Sequence, residues 1–221
     1  MERDVRRLME VRNLTEFQRF LRLCAGRTGQ LLNLQSLGND AGVSHTTARS
    51  WLGVLEASFT VFRLPPFFAN LSKRLIKTPK LYFHDVGLAA YLMGIESWTQ
   101  VRTHPLKGAL FETLVASEVV KHRYNQGKRS NLSFYRERAG AEIDFLYEVG
   151  EGFVALEAKA GETLNQGFFS GFPKLRKTLG DRVLAEVLIY GGPMSGERES
   201  VRFTPVGGLT DTLADLDREL S

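Results

Sequence analysis

The stretch AEIDFLYEVGEGFVALEAK, residues 141–159, sets Asp144, Glu157 and Lys159 within two runs that read as β-strands. A strand alternates its side chains with a period of two, so Glu142 and Asp144 share one face, and Glu157 and Lys159 share one face. A turn near Gly150 makes the two runs neighbours in a hairpin, which sets Asp144 beside Glu157 with Lys159 one step along. Carboxylates that close repel, and one of them tends to keep its proton. A divalent cation removes the conflict. Mg²⁺ takes oxygen ligands and keeps several waters, so one or two carboxylates suffice, and Mn²⁺ serves the same geometry. The bound cation eases deprotonation of water and offsets charge growing on a phosphate. A lysine beside it orients the water or steadies the pentacovalent phosphorus. The same residues also suit a plain amphipathic hairpin in which Glu157 and Lys159 form a surface charge pair, because the pattern is short and common. Spacing alone leaves both readings open.

A further acid comes from the segment PLKGALFETLVASEVVKHRY, residues 105–124, which is apolar nearly all round and therefore reads as a largely buried helix. Within it Glu118 has Lys121 and His122 at helical offsets as local partners. Glu112 has only Val115, Ala116 and Val119 at those offsets, and an acid on an apolar face is costly unless something compensates it. A metal ion or a distant cation would do so. Strand candidates follow at 131–138, 141–149, 152–159 and 182–190, with GFFSGFPKLRKTLG between the last two as a broken helix. A final strand, VRFTPV, precedes a helix over Asp211 to Leu220. A helix, a hairpin-rich sheet and a crossover make an α/β layered plan.

The first third has a different character. Asn13 and Glu16 have capping-box spacing, and Leu14, Phe17, Leu21 and Cys24 follow at helical intervals. A short helix from Leu34 to Ala41 runs into Gly42-Val43, and Ser44 caps a second helix that turns Ala48, Trp51, Leu52 and Leu55 inward. That is a helix-turn-helix pattern. His45, Thr46, Arg49 and Ser50 fall on the outer side of the second helix, where they reach bases or phosphates if nucleic acid binds. Two strand-like pieces, 59–64 and 80–85, flank a loop that carries Lys73, Arg74 and Lys77, the form of a basic wing. The fold expected here is a winged helix-turn-helix, used either for DNA contact or for packing against protein. Asp85 opens a short further helix as its N-cap, and Gly94 closes it.

Charge agrees with this division. Residues 1–80 hold 13 Lys and Arg against 6 Asp and Glu, and residues 81–221 hold 16 against 19, so the excess of positive charge lies entirely in the first third. An anionic partner there is expected, with nucleic acid, DNA foremost, as the usual one. The single cysteine, Cys24, forbids an internal disulfide, reads as core packing, and fits a cytoplasmic setting. No apolar run approaches the ~20 residues that span a bilayer, so no membrane is expected. No Gly-x-x-x-x-Gly-Lys-Ser/Thr motif occurs, the four histidines show no zinc spacing, and no Ser/His/Asp pattern stands out.

The chain resembles the C-terminal region of a family of bacterial and archaeal AAA-type ATPases, a region regarded as a domain of unknown function. The similarity is carried by RDVRRL (3–8), RTGQLLNLQSL (27–37), GVSHTTARSWLGVLEAS (42–58), LPPFFANLSKRLIKTPKLYFHDVGLAAYLMGI (64–95), HPLKGALFETLVASEVVK (104–121), FYRERAGAEIDFL (134–146) and ALEAKAGETLN (155–165). KTPKLYFHDVGL and the GALFE helix are its most specific marks. The resemblance implies a P-loop ATPase domain upstream of this chain. It also implies a winged helix over residues 1–95 followed by a restriction-endonuclease-like α/β domain of the PD-(D/E)xK superfamily over 96–221. In that scheme Asp144 takes the Asp place, with Ile143 where the motif has proline, Glu157 and Lys159 match the ExK pair, and Glu112 matches the helix acid. Gln166 stands near a position where some related nucleases use a polar side chain. Two functions follow as expectations. One is a nucleic-acid phosphodiesterase using Mg²⁺ or Mn²⁺ on Asp144, Glu157 and Glu112 with Lys159. The other is a non-catalytic DNA- or partner-binding module that regulates the ATPase.

Overall fold

A computed structural model describes residues 14–67, 78–137 and 142–220. It is a mixed α/β protein with helices and two sheets, of three and six strands. Two compact units divide it: Met1–Arg63 with Thr78–Thr113, and Leu64–Lys77 with Leu114–Ser221. The chain passes from one to the other after Arg63, after Lys77 and after Thr113. The basic residues Lys73, Arg74 and Lys77 lie outside the described residues.

In the first unit α1 (Leu14–Ala25), α2 (Leu34–Ala41) and α3 (His45–Ala57) surround a core with the three-stranded sheet. Its strands are β1 (Gln30–Leu31), β2 (Val61–Leu64) and β3 (Lys80–Phe83), in the order β1-β3-β2. The helix ends follow from local chemistry. The Asn33 side chain accepts from the Ser36 N–H at 2.9 Å and opens α2. Gly42 closes it at φ 80°, a left-handed conformation that favours glycine. Ser44 then accepts from the Thr47 N–H at 3.1 Å and opens α3. The apolar stripe predicted for these helices is the observed core: Phe17, Phe20, Leu37, Trp51, Leu52 and Leu55 are buried together. Trp51 takes Phe17 and Phe20 edge-on, with ring centroids 5.3 and 5.6 Å away. Cys24 is part of this core, and burial pushes its thiol up to about 12, which leaves it unreactive.

Asp85 caps α4 (Val86–Leu92) by accepting from the Leu88 N–H at 3.0 Å, as its spacing predicts. The next helix, α5 (Trp98–Thr103), was not expected, although Ser97 and Gln100 form a reciprocal capping box that is readable in the sequence. Helix α6 covers Lys107–Asn125.

The second unit is built on a six-stranded sheet of β4 (Leu132–Arg136), β5 (Glu142–Val149), β6 (Gly152–Lys159), β7 (Val183–Tyr190), β8 (Gly196–Arg198) and β9 (Val201–Pro205). The order is β4-β5-β6-β7-β9-β8. β6 occupies a pivotal place, antiparallel to β5 and parallel to β7. The parallel pairing needs a crossover, which the 3₁₀ turn Gln166–Phe169 and α7 (Phe172–Leu179) supply. This is the broken helix of the sequence reading. Phe169, Phe172 and Leu175 bury against Ile143, Leu146, Ala155 and Leu188 on one face of the sheet. Elsewhere in the unit, α8 (Leu209–Glu219) is tied to β5 and α6 through Asp217, which accepts from the Tyr147 hydroxyl at 2.6 Å and meets His122 at 2.8 Å. Glu118 keeps the expected contact with Lys121 at 2.8 Å, whereas His122 goes to Asp217 instead.

Candidate metal and phosphodiester site

The predicted hairpin forms between β5 and β6. Phe145 pairs with Leu156 and Leu146 with Ala155, so one step further brings Asp144 opposite Glu157 on the face covered by α7. A feature that strict alternation did not reveal helps to set Asp144. Against β4, the step from Ser133 to Tyr135 is met by a step from Leu146 to Ile143 on β5, an irregularity of one residue that includes Asp144. Such bulges re-aim side chains and concentrate near sites.

Asp144, Glu157 and Lys159 come together. Both acids are buried, Asp144 at 7% and Glu157 at 4% exposure. The Lys159 ammonium donates to Glu157 Oε2 at 2.7 Å and lies 3.5 Å from Asp144 Oδ2. Asp144 Oδ2 also accepts the Ala158 backbone N–H at 3.0 Å, which anchors it to β6. Together with Glu142, Gly167, Ser170, Gly171 and Lys174 these residues line a cavity of about 220 Å³ in the second unit.

The electrostatics follow from the packing. Burial first, and then the neighbouring Asp144, push the Glu157 carboxyl well above its usual 4.5, while Lys159 opposes the shift. The folded protein thus holds this proton to a higher pH than the unfolded chain does. Stability from this group is greatest below the unfolded value and declines as pH rises through the raised one. The donor set fits a hard divalent cation: oxygen only, from two adjacent carboxylates. Among the described residues no group of three or more His, Cys, Asp or Glu side chains is gathered to hold a metal ion, so any such ion would rest on the pair and on water.

Gly171 is what lets the start of α7 approach. A β-carbon at this position would lie 2.7 Å from Glu157 Oε1, 2.8 Å from the Glu142 carbonyl and 2.9 Å from Ile143 Cδ1. The Glu142 carbonyl is backbone held in the sheet, so the helix must retreat or the strand must shift, and the Glu157 carboxylate is displaced as well. Gly171→Ala is expected to weaken Mn²⁺ binding about tenfold and to cost about 1–3 kcal/mol of stability. Calorimetric titration and thermal melts of the variant check both, and wild-type Mn²⁺ affinity in it would count against this account of the glycine.

Glu112 belongs to the first unit. There its Oε1 accepts from the Lys80 ammonium at 2.8 Å and from the Tyr82 hydroxyl. Lys80 is 3% exposed and Tyr82 fully buried. Of the two compensations open to Glu112, a metal ion or a distant cation, the structure shows a cation, Lys80. Of the residues assigned to nucleic-acid contact, Thr46 and Arg49 are exposed on α3. His45 lines a shallow cavity of about 420 Å³ with Leu32, Asn33 and Thr78. Gln166 accepts from Arg198 at 2.8 Å and does not line the acidic cavity. Sequence reasoning missed Ser170, Gly171 and Lys174 as cavity walls. Their only signal was the Gly-Phe-Pro break that starts α7 beyond the hairpin.

Comparison with known proteins agrees with a two-part chain. Residues 1–99 match the model of a Domain of unknown function (DUF8612), and residues 107–208 match a second Domain of unknown function (DUF4143). The chain is also similar to the uncharacterized proteins Mb2031c of Mycobacterium bovis and Rv2008c of Mycobacterium tuberculosis. Each is 29% identical over 163 residues, which is 74% of this chain and 36% of the relative. The chain therefore spans about a third of the length of the curated relatives it matches.

Proposed function

We propose that this chain is the C-terminal part of an AAA-type ATPase family protein, with a winged helix-turn-helix that binds nucleic acid and a PD-(D/E)xK-type site for metal-dependent phosphodiester hydrolysis. The observation that supports it best is the meeting of Asp144, Glu157 and Lys159 on one sheet face beside a cavity. The match of residues 107–208 to a domain commonly found with AAA-type ATPases supports the wider assignment.

In this reading Asp144 and Glu157 hold Mg²⁺ or Mn²⁺. When bound, the cation supplies a more acidic water and a counter-charge for the phosphate. The chain's own residues do the rest. The Ala158 N–H fixes the Asp144 carboxylate, so its orientation does not depend on solvent. Lys159 offsets one charge of the pair at rest and presents an ammonium to the water or to the phosphate oxygen. His45, Thr46 and Arg49 of α3, with the basic Lys73, Arg74 and Lys77, hold the duplex. Glu112 enters the proposal through its bonds to Lys80 and Tyr82, which compensate its partly buried carboxylate.

A second reading has its own support. Lys159 already pairs with both acids, at 2.7 and 3.5 Å, as a non-catalytic regulatory module would have it. One experiment separates the two. Duplex DNA is incubated with the purified chain while Mg²⁺ or Mn²⁺ is titrated, and Asp144→Ala runs in parallel. The expected result is metal-dependent cutting that Asp144→Ala removes by at least about a hundredfold. Binding without cutting at any metal concentration would favour the regulatory module, and cutting by Asp144→Ala would end the assignment of the site.

A further inference from the structure

The acidic cavity has two lysines on its wall, and they are not equivalent. Lys159 is engaged by Glu157 at 2.7 Å and by Asp144 at 3.5 Å. Lys174 makes no ion pair among the described residues, and it is exposed on the first turn of α7. Its place is set by Gly171, three residues earlier and so on the same side of the helix, which seats the start of α7 against Glu157. Lys174 thereby borders the cavity with its charge uncommitted.

Charge then points to an anion. The side chains that line the cavity are three carboxylates, of Glu142, Asp144 and Glu157, and two ammonium groups, of Lys159 and Lys174. Glu142 also pairs with Arg136 at 3.5 Å, which leaves Asp144 and Glu157 as the acids for a cation. A divalent cation offsets both, and the two ammonium groups then leave the filled cavity positive, which draws in an anion. We propose that Lys174 is the substrate-binding residue that receives a non-bridging oxygen of a phosphodiester. Lysine suits this task as a point charge on a flexible stem. The inference rests on the reading of Asp144 and Glu157 as a metal-binding pair.

The test uses the full chain, Mn²⁺ and dimethyl phosphate, which has the charge of a phosphodiester and no base. Binding is read from the paramagnetic relaxation of the phosphorus nucleus by Mn²⁺, and Mn²⁺ affinity is measured separately by calorimetry. Lys174→Gln is expected to weaken dimethyl phosphate binding about tenfold while it tightens Mn²⁺ binding about twofold, since a positive neighbour of the ion is gone. Lys174→Arg should keep the wild-type values within about twofold. Opposite shifts of the two affinities are not produced by a general loosening of the fold. Equal dimethyl phosphate binding by wild type and Lys174→Gln overturns the inference and leaves the metal site standing. Failure of the wild type to bind Mn²⁺ overturns the metal reading, and the inference with it.

Discussion

Lys159→Ala is expected to lower metal-dependent phosphodiester cleavage by about a hundred- to a thousandfold, the usual consequence of removing one charge-stabilising donor from a site. The same change should make stability strongly pH-dependent. Lys159 is the cation that opposes the rise in the Glu157 carboxyl, so its loss drives that group higher still. Up to the wild-type folded value neither folded protein ionises Glu157, so this group costs both alike and the variant should melt close to wild type. As pH rises through that value the wild type ionises while the variant does not, and the deficit opens. Above it the deficit should reach about 1–2 kcal/mol. That is less than a fully buried pair would lose, because the Lys159 side chain is 32% exposed. Thermal melts between pH 4 and 8 measure it. A deficit that is flat across this range would show that Lys159 acts through packing instead, and undiminished cleavage would remove it from the chemistry.

Glu112→Gln is expected to have the largest effect on stability alone. It takes the carboxylate away from the Lys80 ammonium, which lies 2.8 Å off on a side chain only 4% exposed, and it deprives the buried Tyr82 hydroxyl of a charged acceptor. Removing one partner of such a pair costs about 3–5 kcal/mol. In a chain of this size that is a fall in melting temperature of roughly 6–20 °C. Lys80→Met combined with Glu112→Leu should restore most of it, because an apolar pair of similar volume avoids the desolvation of both charges. If Glu112 served instead as a third acid for the metal, Glu112→Gln would weaken Mn²⁺ binding and leave the melting temperature nearly unchanged. The two measurements together decide its role.

Local chemistry made much of this fold legible. Ser44, Asp85 and Gly42 mark helix ends in the sequence and mark the same ends in the structure, because a cap needs only a residue and its near neighbours. Asp144 and Glu157 were readable as a pair since a tight hairpin fixes which residues face each other. What stayed hidden depends on distant sequence. Lys80 and Glu112 are 32 positions apart, and no periodicity connects them. The irregularity at Asp144 is a property of the β4–β5 pairing, so it cannot be seen in either strand alone. Lys174 looks like an ordinary surface lysine until α7 is laid against the sheet. The small elements β1 and β8, of two and three residues, have too little pattern to announce themselves.

The outermost strands of the six-stranded sheet show how such a protein avoids joining its neighbours. Any sheet edge is a row of unpaired amides that invites another chain to add to it, and aggregation starts there. Here one edge ends in β8, whose three residues are Gly-Glu-Arg, exposed and too short to template a partner. The other is overlaid by the segment Pro65-Pro66-Phe67. Pro65 accepts from the Phe134 N–H at 3.0 Å, and the Phe67 N–H donates back at 2.7 Å. The two prolines have no amide hydrogen to offer a further strand, so this segment accepts the sheet on its inner side and presents little to copy on its outer one. Protection against edge pairing is thus built into the rims of the described sheet, where a proline pair and a charged stub stand in for the closure that a barrel would give.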